Sequence, residues 1–243
     1  MSQYLTISAN FRVGNSLPTI EEHYDSLWRF AKFLEVMSVP LDEWFPPADT
    51  DENSRMNKAF NDGGPSTAAI AMAKADKANL ASDLRNLGVW NGTEGEGGMA
   101  FATTLDSGYI PSNLDFSSKG IDSLTDYRNV VKLVQTIIAI WKPILVQVNP
   151  DDCSNKKIFQ DRPSAGWMLY LPYTIVATQV PEAAHVIPIM DEKGKKQQGT
   201  LIVTVADRFN VNDAEHVKTA NAIETRLVDQ DLLPTLREFV TRF

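Results

Sequence analysis

The chain has 243 residues, 43% of them hydrophobic and 22% charged, with one cysteine and a formal net charge of −8. That length and apolar fraction suit one large globular domain or two small ones and exclude a disordered or collagen-like chain. A lone Cys153 excludes an internal disulfide and a paired-cysteine zinc site, and the acidity argues against a protein that grips nucleic acid directly with Lys and Arg.

The N-terminus shows no positive segment followed by an apolar run, so no secretory signal is expected. Tyr4, Thr6, Ser8 and Asn10 alternate with Leu5, Ile7, Ala9 and Phe11, which predicts a half-buried strand. Thr19 and Glu22 form a capping-box pair before a helix whose apolar stripe is Ile20, Tyr24, Leu27, Trp28, Ala31 and Leu34. Pro46-Pro47 opens a polar loop. After the break at Gly63-Gly64-Pro65, the Ala- and Lys-rich stretch from Ser66 to Leu84 predicts a second helix. Glycines 92, 95, 97 and 98 then separate Val89-Trp90 from a strand at Met99–Leu105, a hairpin pattern, with a further strand near Leu114–Ser118.

Asp126–Trp141 predicts an amphipathic helix with Val130, Val134, Ile137, Ile138 and Trp141 on one face; Pro143 ends it, and Ile144–Val148 is extended. The apolar run from Val130 to Val148 is broken by Lys132, Gln135, Lys142 and Pro143, too polar for a span of about 20 residues. A soluble, cytoplasmic chain with no membrane partner is therefore expected. Strands follow at Gly166–Leu171, Val186–Met190 and Thr200–Ala206, with a Lys-rich turn over Gly194–Gly199. Asn212 or Asp213 caps a last helix reaching about Leu232. Strands punctuated by helices without regular βαβ alternation predict an α+β fold, mainly antiparallel sheet flanked by helices. It is read as one domain over 1–243, with 1–120 and 121–243 as conceivable packed halves.

Charge divides along the chain. Residues 1–120 carry 16 acids and 9 bases, a net of −7, against 15 and 14 in the remainder. Asp42, Glu43, Asp49, Asp51 and Glu52 fall within eleven residues that contain no base.

Catalytic patterns are scarce. His23 stands among Glu21, Glu22 and Asp25, so a metal-dependent hydrolase is one alternative; but adjacent Glu22 and His23 project to different parts of a helix surface, which favours a solvated face. His216 beside Glu215 lacks the HExxH spacing, and His185 lies among apolar residues as a partly buried imidazole. No serine has a GxSxG context. Cys153 adjoins Asp151 and Asp152, which raise a thiol pKa and weaken it as a nucleophile. The loop GTEGEGG offers Glu94 and Glu96 where a phosphate cradle needs backbone N–H groups and a lysine, so its glycines are read as turn formers. Asp229/Asp231 and Asp151/Asp152 are too generic to assign acid–base roles. No catalytic residue, metal or cofactor is expected. Trp28 and Trp141 belong to helical apolar stripes, and Trp167 to a strand. Trp44 with Phe45, flanked by carboxylates, suits either a protein-binding hot spot or a loop anchor.

Four blocks in the second half occur in order: RPSAGWMLYLP (Arg162–Pro172), QVPEAAHVIPI, GTLIVTV and NDAEHVKTANAIETRLVDQDLLP. Together they resemble the immunity protein 52 family of bacterial toxin systems, most closely over Arg162–Pro234, with FRVG after the first strand and GPSTAAIA before Met72 compatible. The resemblance implies a cytoplasmic inhibitor rather than an enzyme: a protein that binds and neutralises a cognate toxin, commonly a nuclease such as a DNase, delivered by type VI secretion or a related system. Its partner is then a protein, with no direct nucleic-acid contact. A nuclease presents basic surface, and an acidic inhibitor meets it with complementary charge. The expected toxin contacts are Asp42, Glu43, Trp44, Phe45, Asp49, Asp51 and Glu52, with Glu94 and Glu96. A general cytoplasmic adaptor is the remaining alternative.

Overall fold

Strand β1 (Tyr4–Phe11) alternates as its sequence predicts: Leu5, Ile7, Ala9 and Phe11 are buried and Thr6, Ser8 and Asn10 face the other way. The computed structural model describes residues 4–80, 83–150 and 156–242, so the expectations for Asp151, Asp152 and Cys153 lie outside the described residues. Helix α1 (Ile20–Leu34) starts on the predicted capping box, with Thr19 and Glu22 each satisfying the other's backbone N–H. The polar loop contains a one-turn helix, α2 (Asp51–Arg55), whose first turn is capped by the Thr50 hydroxyl.

A two-residue hairpin, β2 (Phe60–Asn61) with β3 (Gly64–Pro65), leads to α3 (Thr67–Ala75). The predicted helix over 66–84 is thus too long. Asn79 donates its side-chain amide to the Ala73 carbonyl and Asp76 accepts from Ala78 N–H, which closes the helix, and a 3₁₀ turn follows at Lys77–Leu80. Residues 84–90 alternate and pair into the sheet as β4 (Leu84–Trp90), so tertiary pairing overrides the helical composition.

The hairpin partners are β5 (Met99–Asp106) and β6 (Ser112–Lys119). Helix α4 (Tyr127–Trp141) is capped by Asp126 and ends at Lys142 in a left-handed conformation, one residue before Pro143. Then come β7 (Leu145–Pro150), β8 (Met168–Leu171), β9 (His185–Met190), β10 (Gln197–Val203), α5 (Ala214–Asp229, capped by Asp213) and α6 (Leu236–Arg242). Every pairing in the large sheet is antiparallel, in the order β4-β5-β6-β1-β7-β8-β10-β9. The fold is α+β, and the sheet runs across residue 120, since β6 and β7 both pair with β1.

Helices α1 and α4 cover one face. Phe30 of α1 meets Phe101, Phe116 and Trp141 edge-on at 4.9, 6.0 and 5.4 Å, joining both helices to β5 and β6. The other face is covered only over part of its width. Glu224 of α5 accepts from Ala165 N–H and Ser164 Oγ at 3.0 and 3.1 Å, and Ser164 N–H donates to Gln147 on that face of β7. Leu145, Leu169, Leu171 and Ile202 are buried there. Beyond β1 the same face shows Ser8, Ser117, Ala100, Ala102 and Trp90 at least partly to solvent. Among the described residues no helix is long and apolar enough to cross a membrane.

Candidate functional site

The acidic stretch and the glycine loop, about forty residues apart in sequence, meet at the β4 edge of the sheet. Phe45 forms an isolated bridge with Trp90: each backbone N–H donates to the other's carbonyl, at 2.9 and 3.1 Å. The Trp90 indole N–H donates to Ser54 Oγ at 2.7 Å, and Ser54 donates onward to the Pro46 carbonyl at 2.6 Å, pinning α2 to the strand. Arg55 lies over the Trp90 ring, 4.9 Å from its centroid, and donates twice to the Gly92 carbonyl. Gly92 has φ +70°, and a Cβ there would sit 2.8 Å from the Phe45 ring, so glycine is required at this crossing.

This junction sets the electrostatics. Glu94 is brought against Asp51; the hydrogen bond between the two carboxyls, then the Asp51 charge, raises the Glu94 pKa above the ordinary carboxylate value, and Arg55 only partly offsets this. Asp42 pairs with Lys58 at 2.6 Å and its pKa is lowered accordingly. Asp51 lies 3.8 Å from Arg55. Glu43, Asp49 and Glu52 are exposed and form no ion pair among the described residues. A stretch with no base of its own thus acquires two from further along the chain, leaving three open carboxylates and the strained Asp51–Glu94 pair. Glu96 sits apart, its carboxylate folded against Gly120.

Trp44 does not belong to this surface. It is 0% exposed and packs edge-on to Phe101 at 4.8 Å, while its carbonyl accepts from Ala59 N–H. The expected hot-spot role is corrected: Trp44 anchors the loop to the core, and Phe45, half-buried, stays at the rim. Alternation decides this, since Trp44 turns inward after the short turn at Leu41–Glu43 and Phe45 takes the bridge. Trp90, which the sequence presents only as a strand residue, is the aromatic that organises the site; inward Leu87 and Val89 were the available signal that it faces out.

Beside Trp90 the uncovered sheet face forms an open cleft of about 550 Å³, floored by Ser8, Gly88, Ala100, Ala102 and Ser117 and walled by Pro47. Asp115 projects into it. Partial burial raises its pKa, with hydrogen bonds from Asn113 and Ser8 opposing.

The histidines do not build a metal centre. The solvated-face reading of His23 is overturned: it is 1% exposed, with Nε2 2.6 Å from Thr103 Oγ1, and desolvation pushes its pKa down to about 3. Glu21, Glu22 and Asp25 point to solvent instead, so the hydrolase alternative loses its proposed ligand set. His185 stacks on Tyr127 at 4.9 Å, and His216 accepts from Asn210 N–H. Among the described residues no three His, Cys, Asp or Glu side chains are grouped to hold a metal ion.

No protein-family model matches the chain, and no curated protein matches it. Among solved structures the fold is similar to that of the Pseudomonas aeruginosa T6SS protein PA0821, with a TM-score of 0.57 and 13% sequence identity over 93% of this chain and 73% of that one. At this identity the likeness concerns the fold. The immunity resemblance itself rests on the four sequence blocks.

Proposed function

We propose that this chain is an immunity protein of a toxin system related to type VI secretion, which binds a cognate nuclease toxin and covers its active or substrate-binding surface without catalysing a reaction. The observation that carries this reading is the acidic junction at the β4 edge, where the loop bearing exposed Glu43, Asp49 and Glu52 and the Asp51–Glu94 pair is pinned to Trp90, which lines the uncovered sheet face. A nuclease must display positive surface to hold DNA, and a complementary inhibitor gains association rate and specificity from such charge. The adjacent cleft adds area that can be desolvated, which rim charges alone do not supply; a stable contact needs at least about 1,000 Å² in total. The fold shared with a T6SS protein supports the biological setting.

The test is co-expression with the protein encoded by the neighbouring gene, followed by affinity co-purification and a viability assay. Co-purification with restored growth is expected. Toxicity unrelieved by this chain, with no complex recovered, rejects the reading.

A further inference from the structure

We infer that the open edge of β4 receives an extended, cationic segment of the toxin as an added β-strand; this rests on the immunity reading above. Strand β4 ends the sheet order, and alternation decides which of its backbone groups face outward. Asn91 N–H bonds to Met99 on β5, whereas Trp90 spends its N–H and C=O on Phe45, so Trp90, Gly88 and Asn86 point away from β5. Of these three, only Trp90 finds a backbone partner among the described residues. Pro46 and Pro47 follow Phe45 without N–H groups, so the chain's own ladder stops after one bridge. Asn86 and Gly88 are left with N–H and C=O groups that have no partner among the described residues.

Those groups are accessible. A groove of about 400 Å³ runs along the edge between Asn86-Gly88 and the wall formed by Met72, Ala73 and Asp76. The 550 Å³ cleft shares Asn86, Gly88 and Pro47 with it, so the strand has open space on both sides. An added strand sends alternate side chains to opposite faces and has room for both sets. Leu84, half-exposed at the start of β4, is the kind of apolar edge residue that soluble proteins ordinarily blunt.

Charge selects the occupant. Asp115 in one cleft and Asp76 in the other groove, with Asp49 and Glu52 on the loop beyond Pro47, favour cationic side chains. Two of the nearby bases are engaged, Arg85 with the Pro18 and Asn79 carbonyls and Lys74 with Glu21, while Lys77 beside Asp76 is exposed. A second copy of this chain would bring together two halves of net charge −7, which disfavours self-pairing at this edge.

The test is residue-resolved amide hydrogen exchange on the full-length chain, free and with a catalytically inactivated form of the nuclease encoded beside it. In the free chain Asn86 and Gly88 amides exchange fast while Leu87 and Val89 are protected. In the complex both fast amides slow by at least about 100-fold. Asn86→Pro removes one outward donor at a position where an edge strand tolerates proline, and weakens the complex by about tenfold or more. If that variant loses protection at Leu87 and Val89, the wild-type exchange pattern decides. A complex in which Asn86 and Gly88 stay fast overturns the strand proposal and leaves the immunity reading standing; absence of any complex overturns both. Protection of these amides in the chain alone, growing with its concentration, assigns the edge to a second copy and overturns the toxin strand.

Discussion

His23 shows how burial changes what a residue can do. Desolvation, with the Arg85 charge adding to it, holds the imidazole neutral down to a pKa of about 3, against an ordinary value of 6.5. The folded state therefore binds fewer protons than the unfolded chain between those values. His23 contributes stability that is complete above pH 6.5 and is lost as pH falls toward 3. The loss amounts to about 2–3 kcal/mol by pH 4.5. Urea unfolding at pH 7 and 4.5 should show His23→Gln losing less stability than the wild type over that interval by about this amount. Glu94 has the opposite sense: its raised pKa means that ionisation opposes folding, so its contribution falls as pH rises through the carboxylate range. Glu94→Gln should be at least as stable as wild type at pH 7 by thermal unfolding, yet associate more slowly with the toxin. Neither behaviour is legible in the sequence, because Thr103 lies eighty residues from His23 and Asp51 more than forty from Glu94.

At the scale of elements, the segment before β8 depends on one carboxylate from α5. Glu224, 1% exposed, accepts from Ile158 N–H, Ala165 N–H and the Ser164 hydroxyl, and Arg162 donates to the Leu233 carbonyl. The blocks that carry the family resemblance are thus tied to one another: RPSAGW is held by the last block, and GTLIVTV pairs with the strand that follows the Gly-Trp pair. Glu224→Ala leaves three donors without their acceptor and should cost about 3 kcal/mol or more by urea unfolding, with Glu224→Gln intermediate. Gly166 sits at φ +47°, and a Cβ there would lie 1.9 Å from Asn149 Oδ1, so Gly166→Ala should destabilise by about 2–4 kcal/mol in the same assay. The caps at Thr19 and Asp213 were readable because a cap and its helix are neighbours in sequence, and Asp126, read as the first residue of its helix, is the cap of α4. The short helix α2 and the early end of α3 were not, since packing under Trp90 and pairing of β4 decide them.

For the molecule as a whole, the division of charge becomes a division of surface. The nearly neutral second half supplies α5 and the strands it covers, and the acidic half carries the uncovered face and the open edge. Reversing Asp49, Asp51 and Glu52 to Lys should slow toxin association by about tenfold or more at low ionic strength, with the gap narrowing in high salt. Stopped-flow or biosensor kinetics at two salt concentrations would read this, and equal rates at both would remove the acidic loop from the interface.

By itself the sequence determined the fold class, most strand and helix positions and the location of the acidic excess, because periodicity, caps and charge counts are local properties. Only the tertiary structure decided that Trp44 is core while Trp90 organises the surface, that Lys58 and Arg55 reach into a base-free stretch, and that β4 is an edge whose Asn86 and Gly88 have no backbone partner among the described residues. Those outcomes follow from which strands lie side by side, and strand order is set by burial and pairing between residues far apart in the chain.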